Sequence, residues 1–131
     1  VREIIEWSII KKIPIFIHLR SYKQVIKFIE IANYYKEAVF IVAHMIGFRH
    51  ISRMCQNKNI YYDISAPQLY SVDLLKDALN IVGSKRLILG SDSPYGVDNI
   101  EKNIARLKEI GVISEDMDNI LYKNIMAIIK I

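Results

Sequence analysis

The 131-residue sequence is poor in several things, and each scarcity excludes something. A single cysteine, Cys55, permits neither an internal disulfide nor a paired-thiol metal site, so a reducing, cytoplasmic setting is expected, with Cys55 a buried bystander thiol. The five glycines make no Gly-x-Gly-x-x-Gly and no Walker pattern, which leaves nucleotide binding without support. Ser91 and Ser93 lack the Gly-x-Ser-x-Gly elbow of a serine nucleophile. The longest apolar run, Ala38 to Ala43, stops at His44, far short of the roughly 20 residues that span a bilayer. The opening residues carry Glu3 and Glu6 where a signal peptide needs a basic start, and they begin with Val rather than Met, as a piece of a longer polypeptide would.

What is present suits one folded unit: 52% hydrophobic and 24% charged residues. The net charge of +4 is spread singly or in pairs such as Lys11-Lys12 and Lys85-Arg86, so no nucleic-acid stripe forms and no nucleic-acid partner is expected. Arg2 to Lys12 reads as an amphipathic helix ending before Pro14. Pro14 to His18 is a short strand. Ser21 caps a helix striped by Val25, Ile26, Ile29 and Ala32, and Ala38 to His44 is a strand apolar on both faces, as in a parallel sheet covered on each side. A weaker helix with Ile51, Met54 and Cys55 follows Gly47. Ile60 to Ser65 is the third strand, and Ser71 caps a helix ended by Gly83. Leu87 to Asp92 is the fourth strand. A helix from Asp98 or Asn99 to Gly111 and a helical tail from Ser114 complete the chain. Four apolar strands alternating with helices predict parallel βα units.

Two of the three histidines, His18 and His44, stand at the C-terminal ends of strands, and Asp92 stands at the matching place on the fourth. In a parallel α/β sheet or barrel these ends share one side, so the three side chains can converge although 26 and 48 residues separate them. Two imidazoles and a carboxylate are ligand types for a divalent metal, Zn²⁺ first, with Mn²⁺, Fe²⁺ or Ni²⁺ as alternatives. The plainer account makes the histidines neutral core residues and Asp92 a cap. Arg20, just beyond His18, is placed to grip a substrate carboxylate or, more plainly, to form an exposed ion pair. Asp63, opposite Tyr62 in alternation, can point either way, with the face away from the site favoured, and His50 is read as a surface residue without function.

The segments Pro14 to His18, Ile41-Val-Ala-His-Met-Ile-Gly47, Ile60 to Ser65 and Arg86-Leu-Ile-Leu-Gly-Ser-Asp-Ser-Pro-Tyr-Gly96 together resemble the fifth to eighth strands of the amidohydrolase superfamily, in its amidohydrolase-2 branch of metal-dependent TIM-barrel hydrolases and decarboxylases. Tyr122 to Met126 resembles the Asn-containing helix that ends such chains. The resemblance implies that residues 1–131 form one partial domain, the C-terminal half (strands 5–8) of a (β/α)8 barrel, with the N-terminal half absent. It implies His18, His44 and Asp92 as metal ligands, Asp92 and His44 as catalytic residues, Arg20 and Tyr95 as substrate-binding residues, and a zinc-type cofactor. The chemistry implied is hydrolysis or non-oxidative decarboxylation of a small carboxylated or cyclic molecule through metal-activated water.

The family's His-x-His pair from the first strand occurs nowhere in the sequence, and the fourth-strand ligand is missing too. Half a barrel also leaves two sheet edges and an apolar inner face open. The missing half or a second copy of the chain is therefore expected as partner, and no activity is expected from the chain alone. Three other readings stand beside this one: a non-catalytic half-barrel binding or assembly subunit, a TatD-like metal-dependent deoxyribonuclease, and an open doubly wound α/β module binding an anion without metal.

Overall fold

The computed structural model describes residues 1–130. Helix α1 (Arg2–Lys11) leads into strand β1 (Ile15–Ile17), followed by α2 (Tyr22–Tyr34), β2 (Phe40–Val42), α3 (Phe48–Met54), β3 (Ile60–Asp63), α4 (Val72–Ile81), β4 (Leu87–Ile88), α5 (Asn99–Glu109), α6 (Ser114–Asp118) and α7 (Asn124–Ile129). The strands pair in parallel in the order β1-β2-β3-β4. A doubly wound sheet reverses its strand order at a switch point, whereas strands that follow chain order without reversal are those of a barrel. The doubly wound reading is thereby overturned, and the fold is a half barrel.

Local chemistry explains the helices. Ser21 and Ser71 cap α2 and α4 as their sequence positions predict, accepting from the Gln24 and Leu74 amides at 3.3 and 3.1 Å. The buried stripes, Val25, Phe28, Ile29 and Ala32 on α2 and Leu75 and Ala78 on α4, press on one face of the sheet. That face carries Phe40, Val42, Ile60, Tyr62 and Leu87, all within the apolar core, with Ile15 and Ile17 partly buried against it. Phe28 meets Phe40 edge-on at 5.1 Å, and Phe48 meets Tyr62 at 4.9 Å. Full burial of each such side chain is worth about 1.5–3 kcal/mol, so the helix-facing side of the sheet holds the fold together.

By alternation Phe16, Ile41, Tyr61, Asp63 and Ile88 take the opposite face, which in a whole barrel lines the interior. Phe16, on the edge strand, is 61% exposed there. Ser8 and Ile9 from α1, Ile13 from the turn after it, and Ala127 and Ile128 from α7 approach the foot of this face, where they enclose a cavity of about 310 Å³ with Val39 and Tyr61.

All four strands are shorter than the apolar runs predict, β3 ending at Asp63 rather than Ser65. At β4 the Leu89 amide leaves the sheet for the Ile120 carbonyl at 3.0 Å. The tail expected as one helix is broken by a π-helical turn, Asn119–Lys123, between α6 and α7. The extra residue of that turn sets two buried asparagines against β4 and the turn that leads into it: Asn119 donates to Ser84 Oγ at 3.1 Å, and Asn124 donates to the Ser84 and Leu87 carbonyls at 2.7 and 2.8 Å. Among the described residues no helix is long and apolar enough to cross a membrane.

Candidate functional site

The C-terminal ends of the strands gather His18, His44 and Asp92 at one rim. His18 and His44 meet edge-to-face with ring centroids 5.0 Å apart, and His44 Nε2 lies 3.6 Å from Asp92 Oδ1. His18 is exposed, His44 is 7% exposed, and the Asp92 side chain is 22% exposed. Neither His44 nor Asp92 ends its strand as an extended residue. His44 stands in a helical turn after β2 with φ 56°, Met45 beside it has φ 58°, and Asp92, four residues past β4, has φ 54°. Left-handed backbone at a residue with a side chain costs on the order of 1–3 kcal/mol and gathers at functional sites. Two of the three rim residues carry that strain.

What holds His44 is a buried pair from the end of β3. Asp63 Oδ2 accepts the His44 amide at 3.1 Å and the Ser65 hydroxyl at 2.5 Å, while Oδ1 accepts the Ser65 amide at 3.1 Å. Ser65 Oγ lies 3.0 Å from His44 Nδ1. Asp63 therefore faces the site, correcting the placement expected from the sequence. Its carboxyl is pushed above the ordinary carboxylate value by burial, against the lowering pull of the Ser65 hydroxyl and the His44 amide. Both faces of the sheet are apolar, so alternation alone did not say which side Asp63 takes; the signal available was the polar pair Asp63 and Ser65, two apart and hence on one side. Gly90 leaves the room this pair needs, since a Cβ there would lie 2.7 Å from Asp63 Oδ1.

Beside His18 lies an open recess of about 590 Å³ lined by Arg20, Tyr22, Ile46, His50 and Leu69 among others. Arg20 is exposed and makes no ion pair among the described residues, and its amide bonds Gln24 Oε1 at 2.7 Å. His50 is at the surface as expected, packed edge-on against Tyr22 at 5.1 Å. Tyr95 is 71% exposed in the loop after Asp92, where its amide donates to the Asp92 carbonyl at 2.8 Å. Ser91 accepts the Ser93 amide at 3.2 Å and serves the loop.

The resemblance implies a divalent ion, and the donors fit one in part. His44 Nε2 and Asp92 Oδ1 have the chemistry and the spacing of two ligands sharing an ion at about 2.0–2.2 Å each. A catalytic zinc takes three protein ligands, and among the described residues no three His, Cys, Asp or Glu side chains are arranged to hold a metal. The rim has the donor chemistry for a share of a metal centre, not for a whole one.

By sequence, no family model and no curated protein matches the chain. By structure it is similar to a protein from Pseudomonas putida assigned as a 2-pyrone-4,6-dicarboxylic acid hydrolase, with a TM-score of 0.71 and 12% identity over 98% of this chain and 56% of that one. It is equally similar to 2,6-dihydroxybenzoate decarboxylase solved with 2,6-dihydroxybenzoate, at TM-score 0.71 and 14% identity over 99% of this chain and 55% of that one. By name one neighbour is a hydrolase and the other a decarboxylase, the two kinds of chemistry the strand-end resemblance implies. At such identities the likeness establishes the fold, and the chain spans about half the length of either neighbour.

Proposed function

We propose that this chain supplies the C-terminal half of a metal-dependent amidohydrolase-type enzyme that hydrolyses or decarboxylates a small carboxylated, cyclic substrate. The barrel is closed by a polypeptide carrying the other strands or by a second copy of the chain. The observation that supports this reading best is the 3.6 Å approach of His44 Nε2 to Asp92 Oδ1, made by two residues in left-handed backbone beside His18. Groups brought from separate strands and held at such conformational cost belong to a site rather than to packing.

His44 and Asp92 are the side chains spaced to hold part of the ion's ligand shell, and His18 would join them once the barrel closes, with Zn²⁺ favoured by two imidazoles and a carboxylate and Mn²⁺, Fe²⁺ or Ni²⁺ as alternatives. When bound, such an ion acidifies water and polarises a substrate oxygen. Asp92, partly open to solvent, takes and returns a proton through its carboxylate, and His44 offers the electron pair of Nε2 to the ion that would stabilise developing negative charge. Arg20, without an ion pair among the described residues, takes a substrate carboxylate with its planar fork in the recess beside His18. Tyr95 follows Asp92 in a loop that borders the same rim and completes the substrate contacts.

The test is turnover of 2,6-dihydroxybenzoate and 2-pyrone-4,6-dicarboxylate, the compounds the two neighbours are named for, followed by ultraviolet absorbance with Zn²⁺ or Mn²⁺ present. The chain alone is expected to be inactive and the closed barrel active, with Asp92→Ala abolishing turnover. Turnover by the isolated chain contradicts the half-barrel part of the reading. Unchanged turnover in Asp92→Ala contradicts the site.

A further inference from the structure

We infer that Asp63 and Ser65 are positioning residues that set the tautomer of His44, so that its proton sits on Nδ1 and its lone pair, on Nε2, faces Asp92 across the rim. The inference deepens the reading of His44 as a working residue of the site and rests on it for its purpose, though not for its geometry.

The argument is a count of protons. A serine hydroxyl has one to give. That of Ser65 goes to Asp63 Oδ2 at 2.5 Å, the shortest hydrogen bond at the site. Asp63 is held as an acceptor on both oxygens, since the main-chain amides of His44 and Ser65 each donate to it at 3.1 Å. Ser65 Oγ, its proton spent, meets His44 Nδ1 at 3.0 Å only as an acceptor, which places the imidazole proton on Nδ1. The other polar atom near Nδ1 is Asp63 Oδ2 at 3.5 Å, again an acceptor. A neutral imidazole protonated at Nδ1 has its free electron pair on Nε2, and that nitrogen is the one 3.6 Å from Asp92. All three members are nearly sealed from water, with Asp63, Ser65 and His44 at 4%, 3% and 7% exposure, so solvent does not compete for these bonds.

The arrangement joins main chain to ring. One carboxylate ties down the amide of His44 and, through one hydroxyl, orients its imidazole. A histidine that binds an ion or stabilises charge with one nitrogen commonly has the other fixed by a carboxylate, directly or through a neighbour. Here the intermediary is a serine two residues further on.

The tautomer is read directly by nitrogen-15 NMR of the 131-residue chain labelled in its histidine rings, with no metal and no substrate, His44 being assigned by loss of its signals in His44→Gln. Above the imidazole titration, His44 is expected to show a protonated Nδ1 and an unprotonated Nε2. A protonated Nε2 in the unmodified chain overturns the inference outright. In Ser65→Ala, with the fold verified by circular dichroism, the population is expected to move toward the Nε2-protonated form that free histidine prefers in water. An unmoved Nδ1 proton in that variant shows that Ser65 does not set the tautomer. In Asp63→Ala the freed Ser65 hydroxyl donates to Nδ1, and the tautomer is expected to reverse; should this variant not fold, the first two measurements still decide. An Nδ1-protonated His44 together with no turnover by the closed barrel sinks the proposed activity and leaves this inference standing, and the opposite pair of results does the reverse.

Discussion

Replacing Gly90 by alanine probes the packing around Asp63 without touching any rim side chain. A Cβ at this position would stand 2.7 Å from Asp63 Oδ1, 3.0 Å from Ser65 Cβ and 3.8 Å from Asp63 Cγ, where ordinary contact begins at 3.4 Å. The Gly90 backbone is not left-handed, so alanine pays no conformational penalty there and the effect is steric. The carboxylate has nowhere to retreat without loosening one of the three donors it accepts, the His44 amide, the Ser65 amide and the Ser65 hydroxyl. Overpacking a filled interior costs about 1–3 kcal/mol, and loosening one hydrogen bond to a charged acceptor adds about 1.5–3 kcal/mol if the clash is not otherwise relieved. A destabilisation of about 2–4 kcal/mol is expected, measured as the fall in urea midpoint at constant slope by circular dichroism. Gly83→Ala is the control. Nothing lies within 4 Å of its added Cβ, but its φ of 78° and ψ of 169° fall in a region essentially confined to glycine, so it costs about 1–3 kcal/mol through the backbone alone. In a double-mutant cycle with Asp63→Ala, the Gly90 penalty is expected to shrink by more than about 1 kcal/mol, while the Gly83 penalty is expected to add independently. Gly90→Ala within about 0.5 kcal/mol of the parent, or additive with Asp63→Ala, would refute the packing argument.

Three further outcomes follow from buried polar groups. Tyr62 is fully buried and its hydroxyl has no partner among the described residues, so Tyr62→Phe is expected to leave stability unchanged or raise it by up to about 1 kcal/mol; a loss beyond that in a melt would reveal an unrecognised partner. Asn124→Ala removes two hydrogen bonds that satisfy the Ser84 and Leu87 carbonyls and is expected to cost about 2–3 kcal/mol in denaturant unfolding, against a near-neutral result if the tail does not secure β4. Burial pushes the Cys55 thiol above its ordinary value. Its thiolate fraction in the folded chain at pH 8 is therefore lower than in the unfolded one, and alkylation is expected to be slower in the native state. Because the unfolded thiol ionises first, this group's contribution to stability is fully present below the ordinary thiol value and is lost as pH rises through the folded one. Equal alkylation rates in native buffer and in denaturant would contradict this.

Much of the fold was legible because strand and helix periods differ and because serine caps announce helix starts, as at Ser21 and Ser71. The convergence of His18, His44 and Asp92 was legible for a topological reason: parallel strands put their C-terminal ends on one side, so polar residues at those ends meet whatever their separation in the chain. The left-handed turns at His44, Met45 and Asp92 were not, since in L-residues that conformation is imposed by tertiary contacts such as the Asp63 bond to the His44 amide. Asp63 itself was misplaced because a strand apolar on both faces does not reveal which of them turns inward. The π turn at Asn119–Lys123 was hidden as well, for the Ile120, Leu121 and Ile125 spacing suits an ordinary helix, and only the pull of Asn119 and Asn124 toward β4 adds the extra residue.

The central claim is that separate strands build one shared centre at this rim, to be completed by the other half of the barrel. Elemental analysis tests it most directly, comparing the purified closed barrel with its His18→Ala and Asp92→Ala variants. The account predicts about one equivalent of divalent metal in the parent, as for a catalytic centre with protein ligands from several strands, and a marked loss in both variants. Parent-like metal content in both variants would contradict it.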